Sequence, residues 1–221
     1  MNKIVFTREV DGRIEQVEWF READLAWLVV DGVESILEPK TWQQTWADLE
    51  ARGFVEVFPA DRRKLNAEKV RVLELVRSAF QGVTLGDGVG LRQGQGLDDY
   101  ADPETLAKLR AEDEKHDWTA IPVDDLNRCC SSLSFFDAEG MRFHLPAFLV
   151  AELEGRITSS DVVFILTYQD DDMMSRFDQL SPAQREAVRE YLLLLLSDPH
   201  RGFQHPMIEA GLRDYWGAER G

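Results

Sequence analysis

Four sets of residues in this 221-residue chain could carry chemistry: a glycine-rich run, the histidines, a cysteine pair and the carboxylates. The glycines Gly82, Gly86, Gly88, Gly90, Gly94 and Gly96 invite a test as a phosphate-binding turn. A dinucleotide fingerprint begun at Gly86 requires glycine at position 91, where Leu91 stands. Begun at Gly88, it requires glycine at position 93, where Gln93 stands. The run also follows a helical pattern instead of a strand, and it has no Gly-Lys-Ser/Thr ending. It is expected to be an ordered loop whose glycines adopt positive φ.

The other candidates are equally sparse. His116, His144, His200 and His205 contain no pair at the four-residue spacing of a helical zinc site. Asp98-Asp99 and Asp170-Asp171-Asp172 offer oxygen ligands without the spacing of a calcium-binding loop. No metal or cofactor is expected. Cys129 and Cys130 fall in an amphipathic pattern and read as small hydrophobes. Ser131 and Ser132 lack the Gly-x-Ser-x-Gly elbow of a nucleophile. His144, among Arg142, Phe143, Leu145 and Pro146, reads as a structural hydrogen-bonding group, so no catalytic residue is assigned. An enzyme with an unfamiliar site would instead gather Asp87, Arg92, Arg142 and His144 in one concave pocket with shifted pKa values.

The carboxylates are the strongest signal. With 41 acidic against 25 basic side chains, the net charge is −16. Such a field repels phosphate backbones and anionic bilayers and attracts basic proteins, which argues against nucleic-acid or membrane partners. From Asp98 to Asp125 ten acidic residues stand against three basic ones, so this stretch concentrates the field. Asp98, Asp99, Asp102, Glu112, Asp113, Glu114 and Asp117 are the candidate contacts for a basic protein partner. The same residues also suit a plain solvated face.

The elements that must position these residues fall into two parts. Residues 1–62 alternate like strands, with Asp11-Gly12 and Asp31-Gly32 marking two tight hairpins. Thr41 then reads as a helix N-cap with Gln44 in the capping-box position, Trp42, Trp46 and Leu49 fall on one stripe, and Phe54 to Phe58 reads as a last strand. The order is ββββαβ, ending at a charged junction over residues 60–65. Residues 63–221 are expected to form a mainly helical domain with short strands, making the protein α+β.

Within that second domain, Val72, Val76, Ala79 and Phe80 mark one buried helical face. Asp102-Pro103 and Ser181-Pro182-Ala183-Gln184 are helix starts. Leu133–Phe136 and Met141–Leu145 are expected to pair as a short hairpin, with Pro146 opening a helix and residues 161–168 forming a strand. Adjacent cysteines, early charges at Arg8 and Glu9, and no long apolar run set the expectation of a cytoplasmic protein with reduced thiols.

Several of these segments carry a resemblance. Gly86-Asp87-Gly88, Asp98-Asp99-Tyr100, Asp117-Trp118, Leu126, Leu133-Ser134-Phe135-Phe136, Met141 to Phe148 and Leu180 to Gln184 resemble a bacterial family of unknown function. Its hallmark is an Arg-Phe-aromatic-Leu-Pro-Ala-aromatic run, and the resemblance spans residues 66–197. It implies no activity and no catalytic residues. His144 stands where an aromatic residue is common in that run, and no resemblance extends to the first sixty residues. Taken with the charge, the expected role is a protein-binding inhibitor. Its most direct form is an immunity protein that occludes a basic, nuclease-like toxin. An adaptor or regulatory module is the alternative, and a hydrolase the third reading.

Overall fold

A computed structural model describes residues 3–20, 25–30, 33–37, 42–56, 59–168, 170–198 and 201–217. The protein is α+β, and it divides into two compact units. The first comprises residues 1–67 and 195–205; the second comprises 68–194 and 206–221.

The first unit is built on an antiparallel sheet. Strands β1 (Lys3–Val10), β2 (Arg13–Phe20), β3 (Leu25–Val30), β4 (Val33–Leu37) and β5 (Val55–Glu56) lie in the order β4-β3-β2-β1-β5. Val10 faces Arg13 across a two-residue turn in which Asp11 and Gly12 both have positive φ, 52° and 75°. That left-handed pair matches the right-handed twist of the strands, which is why Asp-Gly stands there. Asp31-Gly32 and the Thr41 cap lie outside the described residues, although Val30 also pairs with Val33. Helix α1 (Trp42–Ala51) precedes β5. Phe6, Val17, Leu49 and Phe54 are buried. Arg8 seals one side of this core: its guanidinium lies 4.5 Å from the centre of the Phe54 ring, and its Nε donates to Glu15 at 2.6 Å.

Among its described residues, the regular elements of the second unit are all helical. Helix α2 (Pro59–Ala79) contains the charged run over residues 60–65, so a helix occupies the expected junction. There follow α3 (Leu91–Asp98), α4 (Pro103–Glu112), α5 (Val123–Arg128), α6 (Ala138–Leu153), α7 (Val162–Thr167), α8 (Asp171–Ser175), α9 (Pro182–Ser197) and α10 (His205–Gly211). Short 3-10 turns at Trp118–Ala120 and Ser132–Ser134 join them, and α10 passes into a wider turn at Leu212–Trp216.

Helix α6 organises this unit. From Phe143 to Ala151 every residue is buried, so the helix is apolar all round and is enclosed by its neighbours. The expected hairpin at 133–145 is therefore absent. Asp137 instead caps α6, accepting from Gly140 N at 2.8 Å, and Pro146 lies inside the helix. Proline favours a helix start because it lacks a backbone donor; here burial on every side outweighs that loss. The expected strand at 161–168 is α7, started by Asp161 accepting from Phe164 N at 2.9 Å. A six-residue apolar run fits either element, and the capping aspartate decides it. No strand occurs among the described residues of the second unit.

The start of α9 matches its sequence signature. Gln184 accepts from Ser181 N at 3.0 Å, and Ser181 Oγ accepts from Gln184 N at 3.3 Å. The buried Gln184 also donates to Ala79 O and accepts from Arg142 Nε, so one cap joins α9, α2 and α6.

Candidate functional site

The glycine-rich run has a packing role. Gly82 and Gly86 have positive φ, as expected, but Gly88, Gly90, Gly94 and Gly96 do not, and α3 begins within the run. A Cβ on Gly88 would lie 2.5 Å from Gly140 N, and one on Gly140 would lie 2.5 Å from Val89 O. The loop is thus pressed backbone to backbone against the first turn of α6. Val89 N donates to Asp137 Oδ1 at 3.0 Å, and Asp87 N donates to Glu139 Oε2 at 3.1 Å.

At the start of α3 the helix lacks a capping side chain, because its N-cap residue is Gly90. Asp113, just past the end of α4, supplies one. Its Oδ1 accepts from Arg92 N at 2.7 Å and its Oδ2 from Gln93 N at 3.3 Å. These are donors that a helix N-terminus leaves without partners. Burial pushes the Asp113 carboxyl above its ordinary range, and the two N–H groups, Arg110 and Arg92 oppose that shift.

Beside this junction lies a cleft of about 240 Å³, bounded by the start of α3, the end of α4 and the first turn of α5, with His144 of α6 on its inner wall. Arg92 bridges Glu112 at 3.1 Å and Asp125 at 3.0 Å. Burial alone would raise the Asp125 pKa, but hydrogen bonds from Arg92 and Arg128 hold it below the ordinary carboxylate range. Asp125 in turn raises the Arg92 pKa.

His144 is buried and stacks on Phe136, with ring centres 4.4 Å apart and planes 8° from parallel; Phe143 meets it edge-on. Its Nδ1 lies 2.8 Å from Gly140 O. A carbonyl only accepts, so the proton is on Nδ1 and Nε2 presents a lone pair. Burial lowers the pKa to about 4, and neighbouring Arg110 adds to the lowering. The ring is neutral at pH 7. His144 Nε2 and Arg110 Nη1 are buried polar atoms without a partner among the described residues.

The seven acidic candidates have distinct environments. Asp102 caps α4, accepting from Glu104 N, Thr105 N and Thr105 Oγ1. Glu114 Oε1 accepts from Lys115, His116 and Asp117 N–H groups. Asp117 accepts from both the N–H and the hydroxyl of Thr119. These bonds hold all three carboxyls below their ordinary pKa: Thr105 leads for Asp102, the His116 N–H for Glu114 and Thr119 for Asp117. Asp98 and Asp99 accept weakly from Gln95 Nε2, at 3.5 and 3.3 Å. Glu112 is 61% exposed and pairs with Arg92. Asp113 is 8% exposed, and its carboxylate is engaged in capping α3, a duty that the charge count does not register.

The four residues of the alternative enzyme site are not brought together. Arg92 and His144 line the cleft; Arg142 is tied to Gln184, and Asp87 contributes its N–H to Glu139. Sequence reasoning missed the pairing of Arg92 with Asp125 and the capping of α3 by Asp113, both made across more than twenty residues. The free lone pair of His144 had no signal in the sequence either. Cys129 is buried, and burial raises its thiol pKa to about 11; Cys130 is half-buried, and both are free. Among the described residues, no group of three or more His, Cys, Asp or Glu could hold a metal ion, and no helix is long and apolar enough to cross a membrane.

Residues 68–220 match the family described as "Family of unknown function (DUF6714)", and the chain belongs to it. No curated protein and no solved structure matches the chain.

Proposed function

Starting from membership in a family without an assigned activity, we propose that this protein acts by binding another protein. Its most direct form is an immunity-type inhibitor that occludes a basic toxin. What supports this reading is the concentration of carboxylates from the end of α3 to the start of α5, where Asp98, Asp99, Asp102, Glu112, Glu114 and Asp117 stand, within a chain of net charge −16. Asp102, Glu114 and Asp117 are fixed by backbone or hydroxyl donors. A carboxylate held in place loses little freedom when a cation arrives, so the face is preorganised for a basic surface. Complementary charge then speeds encounter and selects the partner. An adaptor binding an endogenous basic protein uses the same face, and genetics separates the two: loss of an inhibitor harms the cell only while its toxin is made.

The test is capture of partners by the tagged full-length protein from its native source, eluted with a salt gradient. One stoichiometric basic protein, toxic when expressed alone and harmless when co-expressed, is the expected result. An Asp99→Lys/Glu112→Lys variant should then associate more slowly and with weaker dependence on salt. Capture that is indifferent to both salt and charge reversal overturns the reading.

A further inference from the structure

The cleft beside His144 has a chemical bias. The carboxylates of Glu112, Asp113, Glu114 and Asp125 line it against one guanidinium, that of Arg92, which Glu112 and Asp125 already engage. Three acceptors there remain without a donor among the described residues. Glu112 bonds only through Oε2 and Glu114 only through Oε1, which leaves Oε1 of the first and Oε2 of the second. The third is Nε2 of His144, buried on the inner wall. A buried acceptor without a donor is costly, by about 1–3 kcal/mol, so natural structures rarely keep one unless something supplies the bond.

We propose that this cleft binds a single organic cation: the guanidinium or ammonium end of an arginine- or lysine-like group, neutralised by Glu112 and Glu114 and donating an N–H toward His144 Nε2. At about 240 Å³ the space is below the usual range of ligand pockets and suits one extended side chain better than a nucleotide or cofactor. The neutral imidazole, with its proton held on Nδ1 by Gly140 O, accepts directly or through one water. Two further charged side chains act on His144, and neither lines the cleft: Arg110, which donates to Gly86 O and whose Nη1 is buried without an acceptor among the described residues, and Asp137, which accepts from Val89 N and Gly140 N. An anion would instead meet four carboxylates beside an arginine that is already paired. The inference rests on the proposed partner only for the source of the cation, which is either a basic side chain of that protein or a free amine.

The full-length protein is titrated with agmatine and, separately, with N-acetylarginine methylamide, while the nitrogen resonances of His144 are followed by NMR. Saturable binding with a Kd on the order of millimolar should move Nε2 while Nδ1 stays protonated. Tighter binding of the blocked arginine identifies a protein side chain as the source, and tighter binding of agmatine identifies a free amine. Glu114→Gln keeps Oε1 for its three backbone donors and replaces only the open oxygen, so it should weaken binding about tenfold without loss of fold. His144→Phe, which preserves the stack on Phe136, should weaken it by a similar factor. The inference fails if neither probe binds saturably, if Glu114→Gln binds as well as wild type, or if acetate or phosphate moves Nε2 instead. Because no partner is present, failure here leaves partner capture standing, and failed capture leaves this binding intact.

Discussion

Substitution of Gly90 by alanine tests the junction that builds the cleft. The backbone there, φ −77° and ψ 168°, suits any residue, so the change carries no conformational penalty. Sterics decide the outcome. The new Cβ would lie 1.9 Å from Asp113 Oδ2 and 2.5 Å from its Cγ. One of the two groups must leave, and the side chain moves more easily than the helix. Displacing the carboxylate removes its bonds to Arg92 N and Gln93 N and strands a partly desolvated charge. A lost cap costs about 1 kcal/mol, and a crowded core contributes about 1–3 kcal/mol, so roughly 3 kcal/mol is expected in all. For a chain of this length that is a fall in Tm of roughly 6–12 °C.

Asp113→Ala removes the two nearest clashing atoms together with the cap, and it should cost less, roughly 1 kcal/mol. The double variant should cost only about 1 kcal/mol more than Asp113→Ala alone, because alanine at position 90 then meets only the remaining Cβ of residue 113, at 2.9 Å. The assay is urea unfolding of all four proteins, read as a double-mutant cycle with a coupling of roughly 2 kcal/mol. Additive costs would show that Asp113 does not occupy the space over Gly90, and the account of the capped α3 would fall with them.

Three further outcomes follow from the same geometry. Burial holds the His144 pKa at about 4, below the ordinary 6.5. The unfolded chain therefore takes up the proton first as pH falls, and the stability present above pH 6.5 should drop by roughly 3 kcal/mol on the way to pH 4. His144→Phe should remove that dependence, as unfolding measured at pH 7 and pH 4.5 will show. Gln184→Leu strands Ser181 N, Ala79 O and part of Arg142, and should cost roughly 2–4 kcal/mol by urea unfolding. With the Cys129 thiol pushed up to about 11 by burial, a thiol reagent should label Cys130 first in native protein. Loss of the fast phase in Cys130→Ala, and its retention in Cys129→Ala, is the check.

Local chemistry was legible in the sequence wherever a bond closes within a few residues. The Asp11-Gly12 hairpin, the Asp102 cap and the Ser181–Gln184 capping box were each read from neighbouring residue types and stand as read. Misreadings arose where burial overrode local preference. Pro146 marks a helix start in most contexts, and only the enclosure of α6 on all sides keeps it in mid-helix. Residues 162–167 have strand composition, and a single capped turn makes them helical. The cleft was illegible for a third reason. Its walls come from α3, α4, α5 and α6, and no spacing within the chain reports that Asp113 lies over Gly90 or that His144 lacks a donor.

The acidic stretch combines two roles that simple charge counting would merge. Asp102, Glu114 and Asp117 are first of all structural acceptors, since removing any of them leaves backbone N–H groups without their partners. Asp99 and Glu112 have little such duty. Neutralisation that preserves shape therefore separates the roles. Asn or Gln keeps an oxygen that can still accept from N–H while deleting the charge, so such variants should stay folded and lose only their attraction for a cation. Alanine at the same positions should disturb fold and attraction together. Asp99→Ala and Glu112→Ala should instead behave like their amide counterparts. A partner that tolerates the amide series at all five positions would be held by shape and apolar contact, and the acidic face would then serve solubility and helix capping alone.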